Sequence, residues 1–314
     1  MIPTVPLRVL LGPQRPTSNL RDAGRSAGLP EGPLAVVSAG WQEAEGDIDD
    51  VRALVERDLV DLRLYARTET LFAADDALRA AYRQRQEKLI ELQRLYRLRL
   101  RNLMIATRRI LGAEGDADML APEQRHAIAQ LRALDRHHCN RVQAIHRAFT
   151  AEYHPSNYAP LRQHAEEISA VVAASSGILI TGGNVVVLLN RLRLFDMAPV
   201  LRRSHVIAWS AGAMVLADNI VLFHDRTPQG RRDAEQLGAG LGVLPGLVIL
   251  PDANHRLRAG DRLRTSLFSR RFSPDTCVTL DCGSELRFED ERLVAAEASR
   301  RLTLQGRLTR VKPQ

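Results

Sequence analysis

The sequence predicts an α/β fold: a parallel sheet flanked by helices, with a long helical hairpin inserted after the third strand. Three observations predict it. Short apolar runs alternate with helix-length segments over the first sixty residues, and again beyond about residue 158. Between these stretches, apolar residues recur at spacings of three, four and seven. Two apolar runs, at 177–183 and 205–210, pass directly into small residues, as strands do when they turn at once into helices.

The elements follow in order. LRVLLG (7–12) reads as a short buried strand and LAVVSAG (34–40) as a second, with the polar SNLRDAGRSAG between them as a helix. IDDVRALVERDLV has helical spacing, and LVDLRLY (59–65) reads as a third strand. From about 69 to 112 there is one helical stretch without proline or glycine, striped by Leu89, Leu92, Tyr96, Leu100, Leu103 and Ile110. A second helix is expected near Pro122, a residue suited to the first helical position, and is striped by Ile128, Leu131, Leu134, His138, Val142, Ile145 and Phe149. Two such helices joined by a short polar loop predict an antiparallel hairpin, about 60 Å long at about 1.5 Å per residue, projecting beyond the domain. The α/β pattern then resumes: LRQHAEEISAVVAAS as helix, GILITGG as strand, VVVLLNRLRLF as helix, HVIAWS as strand and AGAMVLA as helix. TCVTLDCGS, SELRFED and RLVAAEA read as short strands. The expected domains are an α/β domain from 1–66 and 156–314, and an inserted hairpin at 67–155.

Bulk properties narrow the function classes. An apolar content of 45% over 314 residues supports a sizeable core. No run approaches the roughly 18 apolar residues of a membrane span, and the N-terminus lacks the pattern of a signal peptide. Three cysteines, Cys139, Cys277 and Cys282, do not make a disulfide framework, so a cytoplasmic protein is expected. The formal net charge is +7, and residues 80–110 hold nine basic residues against two acidic ones. The basic character therefore belongs to the first hairpin helix. With few aromatics and no nucleic-acid-binding motif beside it, that run reads as a solvated helix face. A partner protein, or a second copy docking on the broad apolar stripe, fits better than nucleic acid. His137, His138, Cys139 and His146 lack the i, i+4 pairing of helical zinc sites, so no metal is expected there.

The chemistry concentrates at AWSAGA (208–213). A serine at a sharp strand-to-helix turn needs small neighbours so that the backbones can pack, and the Ala211 N–H then faces the hydroxyl as an oxyanion donor. ITGGN (180–184) is a second glycine turn that offers the other donor. In an open α/β sheet both turns fall at the carboxyl edge, where sites form.

TGGN followed by a helix, then WSAGA, GLGVLPGLVILP and TLDCGSEL, together resemble the peptidase E and cyanophycinase family of serine peptidases. SAGWQEAEGDID near the N-terminus is similar to that family's second strand and loop. The resemblance covers about 6–65 and 158–310, and implies a flavodoxin-like fold of the class I glutamine amidotransferase type. It implies Ser210 as nucleophile, Gly183 and Ala211 as oxyanion-hole donors, and Asp225 as the acidic residue. The family's histidine directly follows the proline that ends the next core strand, and here that position holds Asp252. An ordinary aspartate, with a pKa of about 3.9, is a poor acceptor for a serine proton at neutral pH. Two expectations follow. One is an active hydrolase of peptide or isopeptide bonds, needing no cofactor, in which His255 serves as base and Asp252 or Asp225 orients it. The other is an inactive member of the fold that acts as a binding or scaffold protein through its basic hairpin.

Overall fold

The computed structural model describes residues 5–223 and 233–313. The chain opens with β1 (Leu7–Leu11), α1 (Leu20–Ser26), β2 (Leu34–Val37), α2 (Asp49–Val55) and β3 (Leu59–Asp61). β3 is shorter than its apolar run predicts. The Asp61 carboxylate accepts the N–H of Arg63 at 2.9 Å, and Arg63 takes a left-handed conformation (φ 52°). That turn ends the strand and sends the chain into α3 (Leu64–Ala74). α4 (Asp76–Leu111) and α5 (Ala117–Thr150) form the hairpin, and α6 (Ala159–Ala173) leads back to β4 (Gly177–Ile180). Then come α7 (Val185–Leu194), α8 (Met197–Arg203), β5 (Val206–Trp209), α9 (Ala211–Leu216) and β6 (Asn219–Leu222). The chain resumes with β7 (Glu235–Ala239), β8 (Leu247–Pro251), α10 (Ala253–Arg256), α11 (Arg262–Phe272) and β9 (Thr276–Leu280). It closes with β10 (Glu285–Glu289), β11 (Arg292–Glu297), β12 (Arg300–Leu302) and β13 (Leu308–Arg310).

Among the described residues the central sheet runs β11-β10-β1-β5-β4-β2-β3. The five strands from β1 to β3 are parallel, and helices cover both faces. This is the predicted α/β architecture. The parallel run stops at β1 because antiparallel β10 takes its free edge. β8 and β9 pair in parallel with each other, in a separate sheet with β12 and β13. β2, β4 and β5 are buried at every position, as strands covered on both faces must be.

The helical region departs from prediction at its ends. The stretch expected as one helix from 69 is broken at Asp75, which is extended and caps α4 by accepting the N–H of Leu78 at 2.9 Å. α5 begins at Ala117, capped by Asp116 through the N–H of Asp118 at 2.8 Å, so Pro122 lies inside the helix and not at its start. The two stripes do meet. Tyr96, Leu100 and Met104 pack on Ile128, Leu131 and Leu134, and Leu267 of α11 closes the cluster.

That last contact corrects the expectation of a projecting hairpin, because the hairpin lies against the α/β body. Arg271 of α11 is buried and donates to both Asp135 oxygens at 2.7 Å, to Tyr96 Oη at 2.7 Å and to the Ala234 carbonyl at 2.8 Å. Tyr96 Oη donates in turn to Asp135 Oδ1 at 2.8 Å and accepts the N–H of Gln236 at 3.1 Å. The network is satisfied across α4, α5, α11 and β7, which makes a buried ion pair tolerable. Arg97–Glu235 and Arg108–Asp233 add ion pairs along α4. His138 sits in this seam, stacked on Tyr96 with centroids 4.2 Å apart. Of the predicted α4 stripe, Tyr96 and Leu100 are buried in this cluster and Leu103 packs against it, while Leu89, Leu92 and Ile110 are half-buried. The large apolar residues that α4 exposes are Ile90, Leu95, Leu98 and Ile105. Among the described residues, no helix is long and apolar enough to cross a membrane.

Candidate active site

β4 and β5 are adjacent and parallel, so the turns after them emerge side by side at one sheet edge. Ser210 follows β5 with φ 49° and ψ −114°, a conformation L-residues rarely hold. Its own N–H is anchored to the Leu11 carbonyl at 3.2 Å, and its carbonyl accepts the N–H of Met214 at 3.0 Å, which starts α9. Ser210 lines a cavity at this edge, and its hydroxyl makes no hydrogen bond among the described residues.

Glycines make this close approach possible. A Cβ on Gly212 would meet the Ile180 carbonyl oxygen at 2.4 Å, and one on Gly182 would lie 3.2 Å from the Ser210 Cβ. Gly183 has φ +111°, and a Cβ there would meet the Gly40 carbonyl oxygen at 2.4 Å. The Gly40 carbonyl is itself occupied by the N–H of Asn184 at 2.8 Å. Asn184 caps α7 through the N–H groups of Val186 and Val187. The N–H groups of Gly183 and Ala211 donate to no described residue, so both are free for a ligand oxygen.

A cavity of about 950 Å³ opens over this edge, and Gly183, Ser210, Ala211 and Asp252 all line it. Asp252 follows β8 in a left-handed conformation (φ 58°), its N–H held by the Leu280 carbonyl at 3.0 Å. Its Oδ1 accepts from His255 Nδ1 at 2.6 Å, and its Oδ2 lies 3.4 Å from Arg256 Nε. Since α10 is a single turn, residues 252, 255 and 256 fall on one side of it. The His255 side chain is 81% exposed, against 31% for Asp252, and His255 is not among the lining residues. Asp225 lies outside the described residues. His205, at the start of the serine strand, accepts the N–H of Leu7 on its Nδ1 at 3.1 Å, a structural role.

The structure therefore brings Ser210, Gly183, Ala211 and Asp252 to one cavity, with His255 one hydrogen bond behind Asp252. Sequence reasoning missed Gly40, Trp41 and Arg256. Gly40 packs under the Gly183 turn, while Trp41 and Arg256 line the cavity. The SAGW run at the end of β2 was the available signal for the first two: it too is a strand running into small residues.

Residues 129–295, just over half of the chain, match peptidase family S51. The matched stretch holds Gly183, Ser210, Ala211, Asp252 and His255. Among curated proteins nothing matches. Among solved structures, the crystal structure of a peptidase from an acI-B1 Actinobacterium is similar over 99% of this chain and 96% of that one, at 12% identity and a TM-score of 0.46. The chain belongs to peptidase family S51, and is a serine peptidase-type hydrolase by family.

Proposed function

We propose that this protein hydrolyses peptide or isopeptide bonds with Ser210 as nucleophile. The observation that carries the proposal is the strained, unpartnered Ser210 beside two unused backbone donors in a cavity large enough for a short peptide. In the acylation step the Ser210 Oγ attacks the scissile carbonyl carbon, and its proton passes to a base. The carbonyl oxygen takes up the negative charge between the N–H groups of Gly183 and Ala211. Collapse of this adduct breaks the C–N bond, the amine leaves with the proton from the base, and water then cleaves the acyl-enzyme by the same route in reverse.

The Asp252–His255 pair supplies the base in this proposal. A carboxylate only accepts hydrogen bonds, so His255 Nδ1 carries a proton, and in the neutral imidazole Nε2 then keeps its lone pair, the tautomer a serine base needs. Delivering Nε2 to Ser210 requires the exposed imidazole to rotate inward past Asp252. Asp225 remains the acidic residue implied by the family resemblance.

The exposure of His255 favours a second proposal: a protein that holds peptides in this cavity without cleaving them. A fluorophosphonate probe separates the two. Labelling of the wild type that Ser210→Ala abolishes supports catalysis; absence of labelling in both, with peptide binding retained, supports the binding role.

Three further features support the wider proposal. β2 pairs with β3 on one side and with β4 on the other, which supports reading residues 67–155 as an insertion into one α/β domain of 1–66 and 156–314. The unpaired thiols Cys139, Cys277 and Cys282 fit the reducing cytoplasm. The exposed apolar residues of α4 fit a homodimer or partner-protein surface on the hairpin.

A further inference from the structure

A second cavity of about 420 Å³ lies where the hairpin meets the α/β body, at the opposite end of α7 from Gly183. Arg85 from α4, His146 and Arg147 from α5, and Arg193 and Asp196 from the end of α7 line it. Its charge is unbalanced. Arg85 is only 4% exposed, and its guanidinium carbon sits 4.2 Å and 4.3 Å from the ring centroids of Tyr82 and Phe149. Its Nε and Nη2 are buried without a hydrogen-bond partner. Arg193 donates to His146 Nε2 at 2.8 Å and to the Ala239 carbonyl at 2.7 Å, both neutral acceptors. Among the described residues no carboxylate pairs with Arg85, Arg147 or Arg193. The one lining carboxylate, Asp196, faces His154 at 3.5 Å. Neighbouring Arg191 is already paired, with Glu69 at 2.9 Å.

A buried cation without a counter-charge is costly, and the half-buried Arg193 beside Arg85 adds to that cost. The cations also act on their surroundings. His146 is pushed down to about 3, first by burial and then by Arg193 and Arg85, and Arg193 is lowered to about 10 by burial and Arg85. Such an arrangement is unfavourable empty and favourable around an anion. Guanidinium groups offer parallel N–H donors that match the oxygens of a carboxylate or phosphate. The cavity volume falls in the range of small-ligand sites.

We propose that this cavity binds a small oxyanion-bearing ligand, a carboxylate or a phosphate, held by Arg85, Arg147 and Arg193 between the hairpin and the body. Its occupant would neutralise the seam and tie α4 and α5 to α7. The site is separate from the Ser210 cavity and stands whether or not that cavity is catalytic.

Thermal unfolding of the full chain tests it, in inorganic phosphate and in succinate, each against chloride at matched ionic strength and neutral pH. The expected result is a saturable rise in Tm with one of the two anions above chloride, and the anion that acts identifies the source. Arg85→Met is expected to raise the Tm of the anion-free protein and to lose the response. Arg147→Ala, at the exposed rim where folding is not at stake, is expected to weaken the midpoint concentration about tenfold, as loss of one charge-assisted contact does. Arg256→Ala, in the Ser210 cavity, is expected to leave the response intact. The proposal is overturned if neither anion differs from chloride, if the response survives both Arg85→Met and Arg147→Ala, or if Arg256→Ala removes it.

Discussion

His255 Nδ1 lies 2.6 Å from Asp252 Oδ1, with the carboxylate on the cavity side and the imidazole in solvent. A serine triad has the opposite order, with the imidazole between serine and carboxylate. If the pair works by rotation of His255 inward, both members are needed. His255→Gln should lower kcat/KM on a cleaved peptide by about three orders of magnitude or more, near the level of Ser210→Ala. Asp252→Asn should lose less, because it removes orientation and charge stabilisation but leaves the base. If His255→Gln cleaves normally, Asp252 or another group takes the proton, and the rotation is excluded.

The bend at Ser210 depends on absent side chains. Gly212→Ala puts a Cβ 2.4 Å from the Ile180 carbonyl oxygen, and backbone cannot yield there as a flexible side chain would. The substitution should destabilise the protein by about 1–3 kcal/mol and displace α9 from β4. Gly183→Ala meets the Gly40 carbonyl at the same distance and also carries φ +111°, so it should lose more stability and abolish fluorophosphonate labelling. Denaturant unfolding of the two variants checks the order.

These glycines also mark what the sequence made legible. TGGN and WSAGA announced two adjacent turns, because a strand that ends in small residues has few other uses, and both turns stand where they were expected. The helical stripes were legible for the same reason: Leu131, Leu134, His138 and Val142 are all buried, at the spacing that one face of a helix dictates. The partner of that face was not legible. Periodicity says which residues are covered and not by what, so Arg271, 136 positions from Asp135 in the chain, could not be assigned to the seam. The side of Asp252 on which His255 lies was hidden too, since it depends on one side-chain rotation in a single turn of helix.

The Tyr96–Asp135–Arg271 network has no slack. Arg271 is fully desolvated, and Asp135 is its only acidic hydrogen-bond partner among the described residues. Asp135→Ala should therefore destabilise by about 3–5 kcal/mol, the loss seen when a buried pair is broken from one side. Tyr96→Phe should lose about 1–3 kcal/mol, since it leaves the Gln236 N–H and one Arg271 donor unmatched. Combining the two should give less than the sum, because both act on one network.

On α4, Ile90 is 70% exposed and Leu98 55%. Leu98 and Ile105, seven residues apart, lie almost in one line on the exposed side of α4, with Ile90 two turns before and offset around the helix. If two hairpins associate through this line, Leu98→Lys should shift the mass in solution from dimer to monomer without lowering Tm in the dilute monomeric range. Light scattering over a concentration series reads the change. A wild type that is monomeric throughout rejects the surface as a self-association site.

Acid should loosen the hairpin from the body before it unfolds the sheet. His146 titrates near 3 in the folded protein, against about 6.5 when free, because it is buried and beside Arg193 and Arg85. A base whose folded pKa is depressed binds its proton less readily folded than unfolded. Its stabilising contribution is complete above about 6.5 and is lost progressively as pH falls toward 3. His138 and His205 are lowered by burial as well and act in the same direction. Stability should therefore decline below about pH 6.5, and His146→Gln, whose amide oxygen still accepts from Arg193, should flatten that decline without removing it. Unfolding free energies measured at intervals from pH 7 to pH 4 give the slope, and equal slopes in the two proteins would exclude His146 as its source.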